Sequence, residues 1–183
     1  MPILAIVGIV LVVIVASTLV SGLAGGAGGS GSAPLPFGST DNVSAPTGSL
    51  GANMITHDPA TWPTGDVIWN ICCAIASAEG ANIEGSVPDR LNNPGDISDG
   101  AQTYGFEPHS GSNVTRFPDK AVGWQWLYNK VQNIQQGGST VYSPSMTWTQ
   151  IAQKWAGNWQ SWVANVSGFL GVSPDSRFSD YTG

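Results

Sequence analysis

The stretch that decides the fold is Asp66-Val67-Ile68-Trp69-Asn70-Ile71-Cys72-Cys73-Ala74-Ile75-Ala76-Ser77-Ala78-Glu79-Gly80. Thr64-Gly65-Asp66 supplies capping groups, no Pro or Gly interrupts Val67 to Glu79, and Gly80 stops the run, so a helix is predicted here. Ile68, Ile71, Cys72 and Ile75 fall at i, i+3, i+4 and i+7 and form one apolar stripe. Glu79 is four residues beyond Ile75 and extends that stripe instead of facing water. It also sits at the negative end of the helix dipole, which disfavours an anion. Both effects raise a carboxyl pKa, and a raised carboxyl is what a general acid needs near neutral pH. The plainer alternative is a helix-end carboxylate in solvent.

Three further helices follow from the same signals. Asp119 caps one that runs to Gln136 and is ended by Gly137-Gly138; Gly123, Leu127, Val131 and Ile134 set its buried face, with Trp124 beside them. Thr147-x-x-Gln150 is a capping-box pattern opening a helix through Trp155-Ala156. Asn158 to Phe169 reads as the next, with Trp162, Val163 and Val166 inward. Ser173-Pro174-Asp175 has the form of a cap followed by Pro at the first helical position. Between the first two helices, Gly85 to Gly111 is broken by Pro88, Asn92-Asn93-Pro94-Gly95, Asp99-Gly100 and Gly105, with a short strand or hairpin expected around Thr103 to Phe117. Long irregular segments of this kind in small domains are often functional loops. The fold class expected is mainly α, an α+β domain with one small β element.

The charge distribution divides the chain. Met1 to Thr40 holds no Lys, Arg, Asp, Glu or His, so the six basic and twelve acidic residues all lie from Asp41 onward. Ile3 to Val20, apolar all round and continuing to Ala24, makes roughly 30 Å of helix, enough to span a bilayer core. Residues 1–24 are therefore expected to be a transmembrane anchor. A cleaved signal peptide is the rival, but it wants a basic n-region and only Met1 and Pro2 precede the run. No Lys or Arg flanks the span, so the positive-inside rule assigns no orientation. Residues 25–53, rich in Gly, Ser and Pro, read as a flexible linker with a reach on the order of 30 Å. Residues 54–183 form the domain, long enough for one core and holding all eight Trp. A net charge of −6 argues against nucleic acid or anionic lipid as its partner.

The two cysteines, Cys72 and Cys73, are helix neighbours that point different ways and do not form an unstrained disulfide. They read as small buried side chains. His57 and His109 are isolated, and without a CxxC, HExxH or spaced His pair neither a metal nor a cofactor is implied.

Four segments in order carry a family resemblance. Ala74-Ile75-Ala76-Ser77-Ala78-Glu79-Gly80-Ala81 followed by Asn92-Asn93-Pro94-Gly95-Asp96-Ile97 resembles the core of lysozyme-like murein hydrolases, the phage-type virion-associated lytic transglycosylases and lysozymes distantly related to goose-type lysozyme. Phe117 to Trp124, Thr147 to Ala156 and Val163 to Val172 are similar to later segments of that family. The similarity spans roughly Val67 to Asp180. Asp89-Arg90-Leu91 departs from it, since relatives more often carry a basic-polar run there.

The resemblance implies that Glu79 is the catalytic acid, protonating the oxygen between N-acetylmuramic acid and N-acetylglucosamine and then acting as base. In a transglycosylase the base step closes a 1,6-anhydro ring; in a hydrolase an Asp after the Glu positions water, and Asp89, Asp96 and Asp99 are available. The candidate substrate-binding residues are Asn93 and Asp96 in the loop beside the acid, Tyr104 for an acetamido group, and Tyr142 along the cleft. Each Asp has a turn-capping alternative, and most Trp sit at helical spacings that suit a core. The reading is a single-pass membrane protein of a virion or bacterial inner membrane, its domain facing the periplasm or cell wall. Its expected partners are peptidoglycan strands, the lipid bilayer through residues 1–24, and other virion or envelope proteins. The alternative is a non-catalytic peptidoglycan-binding or structural membrane protein on the same fold. The anchor is checked by fractionation: the full chain should partition into membranes and require detergent, whereas a chain beginning at Asp41 should not. A mature protein starting after Ala24 would establish a signal peptide instead.

Overall fold

The computed structural model describes residues 55–98, 104–109 and 112–183; the expected anchor, the linker and Asp99 lie outside them. No helix among the described residues is long and apolar enough to cross a membrane. The described region is mainly α-helical with one small two-stranded sheet.

Helix α1 spans Val67–Glu79, between an Asp66 side chain that accepts from the Trp69 N–H and a left-handed Gly80. Both ends are those the sequence signals. Ile71, Cys72, Ala74 and Ala76 have no exposed surface, so α1 is the buried axis of the domain. A short helix α2 covers Val87–Arg90 with Ser86 as its cap. Pro88, read above as a turn signal, instead occupies the first turn, where a missing N–H costs nothing. Strands β1 (Phe106–His109) and β2 (Ser112–Thr115) pair antiparallel, with Phe106 opposite Thr115 and His109 opposite Ser112. Helix α3 runs Lys120–Gln135 from the Asp119 cap, α4 runs Trp148–Trp155 with both capping-box bonds formed, and α5 runs Trp159–Leu170. Helix α1 packs on α5 and α3, and α4 packs on α5.

One predicted element is displaced. Ser173-Pro174-Asp175 opens no helix; α6 begins at Phe178 and ends at Thr182. The Pro174 carbonyl is taken by the Thr149 N–H at 2.9 Å and the Ser176 carbonyl by the Trp148 N–H at 3.2 Å. The segment thus serves the unpaired donors at the start of α4 before it can turn into a helix of its own.

Helix α3 is buried more fully than its predicted face. Ala121, Trp126 and Lys130 join Trp124, Leu127, Val131 and Ile134. One side faces α1, and the other carries Trp126 against Ile97 and Phe117 in a separate small cluster. Gly123 is where α3 meets the loop: a Cβ there would fall far inside contact distance of the Asn92 carbonyl oxygen. At Gly95 a Cβ would stand 2.9 Å from Leu127 Cδ1 and 3.2 Å from Ile97 Cγ2, both core atoms. At Gly138 it would meet mainly the tip of the Asn133 side chain, which can swing away. Overpacking of this kind costs about 1–3 kcal/mol and more where backbone must move. Gly123→Ala should therefore cost at least about 3 kcal/mol, Gly95→Val should destabilise and disturb the loop, and Gly138→Val should be mild, as urea unfolding of the three variants will read.

Candidate active site

The last turn of α1 points Glu79 into a cleft of about 380 Å³ whose wall also includes Asp96, His109, Ser112, Trp155, Asn158, Ser161, Trp162 and Asn165. Three parts of the fold thus meet around one carboxyl: α1 carries it, α5 and the end of α4 form one wall, and the loop with the hairpin forms the other. The Trp162 Nε1–H donates to Glu79 Oε1 at 2.7 Å. Trp162 stacks on Trp155 with ring centroids 5.8 Å apart, and Trp155 Nε1–H donates to the Gly95 carbonyl at 3.3 Å. Two stacked indoles therefore tie the acid to the opposite loop.

Burial and the neighbouring Asp96 carboxylate push Glu79 up to about 8, against the opposing indole hydrogen bonds. The residue as a whole is only partly buried, because it opens on the cleft, whereas protein closes round the carboxyl on its other sides. With Oε1 accepting from Trp162, Oε2 is left to carry the proton. Burial also raises Asp96, opposed by the charges of His109 and Arg90. Its Oδ1 is buried and takes no hydrogen bond from the described residues. Asp96 holds a left-handed backbone, φ 48°, as does Asn92, φ 55°. Asx residues tolerate this conformation at modest cost.

The loop is shaped by Asn93. Its fully buried amide donates to the carbonyls of Ile97 at 2.7 Å and Thr115 at 2.9 Å, and accepts from the Ile97 N–H at 3.0 Å. That pins loop to hairpin and leaves the amide turned to backbone; Asn93 positions Asp96 and does not line the cleft. The hairpin is held further by Glu107, which pairs with Arg90 of α2 and with Arg116 at 3.0 Å. Exposed pairs of this sort contribute about 0.2–1 kcal/mol each, so they orient the hairpin more than they stabilise it.

The remaining candidates are placed elsewhere. Tyr104 packs edge-on against Phe117 and Trp126 at 5.6 and 5.9 Å, a hydrophobic position outside the cleft lining. Tyr142 is buried behind Trp155, 5.6 Å between centroids, with the Lys130 ammonium 5.6 Å from both rings. It backs the cleft wall and does not form its surface. Asp89 pairs with Lys120 and accepts from the Gly85 N–H at 2.8 Å. Partial burial pushes its carboxyl up, but the Lys120 and Gly85 bonds outweigh that and hold it below the usual range. It is a strut between α2 and α3. Cys72 is buried and Cys73 partly so, both free, with Cys73 Sγ facing the Pro63 carbonyl at 3.4 Å.

Sequence reasoning missed His109, Ser112, Asn158, Ser161 and Asn165, and left Trp155 and Trp162 among core residues. The polar spacing Ser161, Asn165 beside the inward Trp162 was a usable signal; nothing local to the hairpin pointed to His109. Compared with protein-family models, curated proteins and solved structures, the chain matches none.

The raised acid makes stability depend on pH. Below about 4.5 Glu79 is protonated in both folded and unfolded chains. Between about 4.5 and about 8 the unfolded chain ionises and the folded one does not, so stability falls as pH rises through that window. Glu79→Gln removes the effect. Urea unfolding at pH 5 and pH 8.5 should show the variant gaining on wild type at the higher pH by on the order of a few kcal/mol. An unchanged difference between the two pH values would contradict a buried, proton-holding Glu79.

Proposed function

We propose that this protein cleaves peptidoglycan glycan strands at the bond between N-acetylmuramic acid and N-acetylglucosamine, as a lysozyme-like glycosidase tethered to a membrane. One observation carries the reading: a carboxyl held at about 8 in an open cleft, fastened by an indole and set beside a second carboxylate. A carboxyl kept protonated by its surroundings beside a second carboxyl is an arrangement suited to glycosidic cleavage. The four family-like segments and the mainly α architecture with its small hairpin support the same assignment.

The chemistry follows from those residues. Glu79 donates its proton to the bridging oxygen as the bond to the muramyl C1 breaks, so the leaving sugar departs as a neutral alcohol. Positive charge then develops on the muramyl ring, and the Asp96 carboxylate of the cleft wall offsets it. Glu79, now an anion, takes a proton from the group that adds to C1. With Asp96 able to orient water, hydrolysis is the expected outcome and the products carry reducing ends. The cleft is lined by neutral amides and hydroxyls, which suit acetamido and hydroxyl groups.

Glu79→Gln should fold normally and lose glycan cleavage by a factor on the order of 10²–10⁴. Asp96→Asn should lose on the order of 10²-fold if it handles water. Wild-type activity should decline as pH rises through about 8, where Glu79 gives up its proton. Digests of purified murein analysed by mass spectrometry read all of this. Anhydromuramyl ends with a nearly intact Asp96→Asn would reassign the reaction to transglycosylation. Cleavage undiminished in Glu79→Gln would sink the assignment, and a folded wild type without cleavage would leave a binding module.

A further inference from the structure

Helix α5 presents a row of side chains that the acid and its neighbours do not use. Asn158, at its N-cap, and Ser161 and Asn165 line the cleft. One turn beyond Asn165, Phe169 is 53% exposed. Residues 161, 165 and 169 are spaced at i, i+4 and i+8 and share one face. Side chains on a helix lean toward its N-terminus, which puts the surface that Phe169 covers over the turn that carries Asn165. Ala164 and Gly168, both exposed, keep the ground beside the row low, and a Cβ at Gly168 would meet nothing within 4 Å. From Ser161 to Phe169 the row is about 12 Å long, more than one pyranose ring needs. A lone exposed Phe on a protein surface carries little meaning. This one ends a polar row that starts inside the cleft.

We infer that the outer face of α5, from Ser161 through Asn165 to Phe169, is a glycan-binding track continuous with the cleft. A sugar ring beyond the scissile linkage stacks its apolar face on Phe169, while Ser161 and Asn165 meet hydroxyl and acetamido groups. The inference rests on the glycan-cleaving reading of the cleft. The occupant is an amino-sugar strand because its chemistry fits the row. Pyranose rings alternate apolar faces with polar edges, and the track offers an aromatic face, an amide and a hydroxyl. Ser161, Ala164, Asn165, Gly168 and Phe169 carry no charge in a chain of net charge −6, so the face suits a neutral ring surface and not an ionic ligand. Such a track holds long strands in preference to short fragments.

The test compares wild type, Phe169→Ala and Phe169→Trp as full-length, detergent-solubilised protein. On intact murein sacculi, Phe169→Ala should raise KM about three- to tenfold with kcat unchanged, the loss expected from one aromatic stacking contact. A soluble disaccharide-repeat fragment too short to reach Phe169 should be cleaved equally by both, and Phe169→Trp should restore the sacculus KM. Cosedimentation with sacculi measures binding without catalysis, and Phe169→Ala should weaken it by a similar factor. That arm reports on the track even if wild type cleaves nothing, so failure of the track and failure of the cleavage reading are told apart. Equal binding and KM in wild type and Phe169→Ala would overturn the inference. So would an equal loss on long and short substrates, or a dimer that Phe169→Ala converts to monomer with sacculus binding unchanged.

Discussion

Placing a carboxyl under the Trp162 indole at the end of a buried helix is the constraint from which the rest of the site follows. An ionised carboxylate there would be uncompensated, since the described residues bring it no cation and Asp96 lies beside it. The protein resolves this with one hydrogen bond and one retained proton. The indole that supplies the bond is itself fixed by stacking on Trp155, and Trp155 reaches across to the Gly95 carbonyl. Helix α1, helix α5, the end of α4 and the loop are thus joined through two ring systems, and disturbing any of them moves the acid.

The loop opposite is held in a conformation that its residues would not choose alone. Two non-glycine residues sit in the left-handed region within five positions. What offsets this is the saturated Asn93 amide and the close approach of Asn92 to Gly123 on α3, where any side chain would intrude. Behind the helical wall, Lys130 is 1% exposed between the rings of Tyr142 and Trp155. A buried ammonium against two aromatic faces fixes their planes, and so fixes the Trp155 surface that the cleft presents. Residues that never touch the cleft therefore decide its shape.

Electrostatics and shape divide the work within the cleft. Desolvation keeps Glu79 protonated and also raises its neighbour Asp96, against the opposing charges of His109 and Arg90. The hairpin brings His109 and Ser112 over the same space from the far side. Its attachment through Glu107 to Arg90 and Arg116 lies at the surface, whereas its attachment through Asn93 is buried. The cleft accordingly has one wall of packed helices and one wall set by a short sheet tied to the loop and to α2.

The sequence by itself determined the helices and the inward position of the Glu79 carboxyl at the end of α1. Capping groups at Asp66, Asp119 and Thr147 and the glycine after each of two helices are local signals, read within a few residues, and the helices begin and end at them to within a residue. Glu79 was legible because its position in the apolar stripe is also local. Ser173-Pro174-Asp175 misled because the α4 donors it serves lie some 25 residues away along the chain. Only the tertiary structure decided what surrounds the acid. Asn93 turned out to hold backbone, Tyr104 and Tyr142 to pack behind the wall, and His109 and Asn165 to line it, because elements distant in sequence come together there. Periodicity reports which face of an element is buried; it does not report against what.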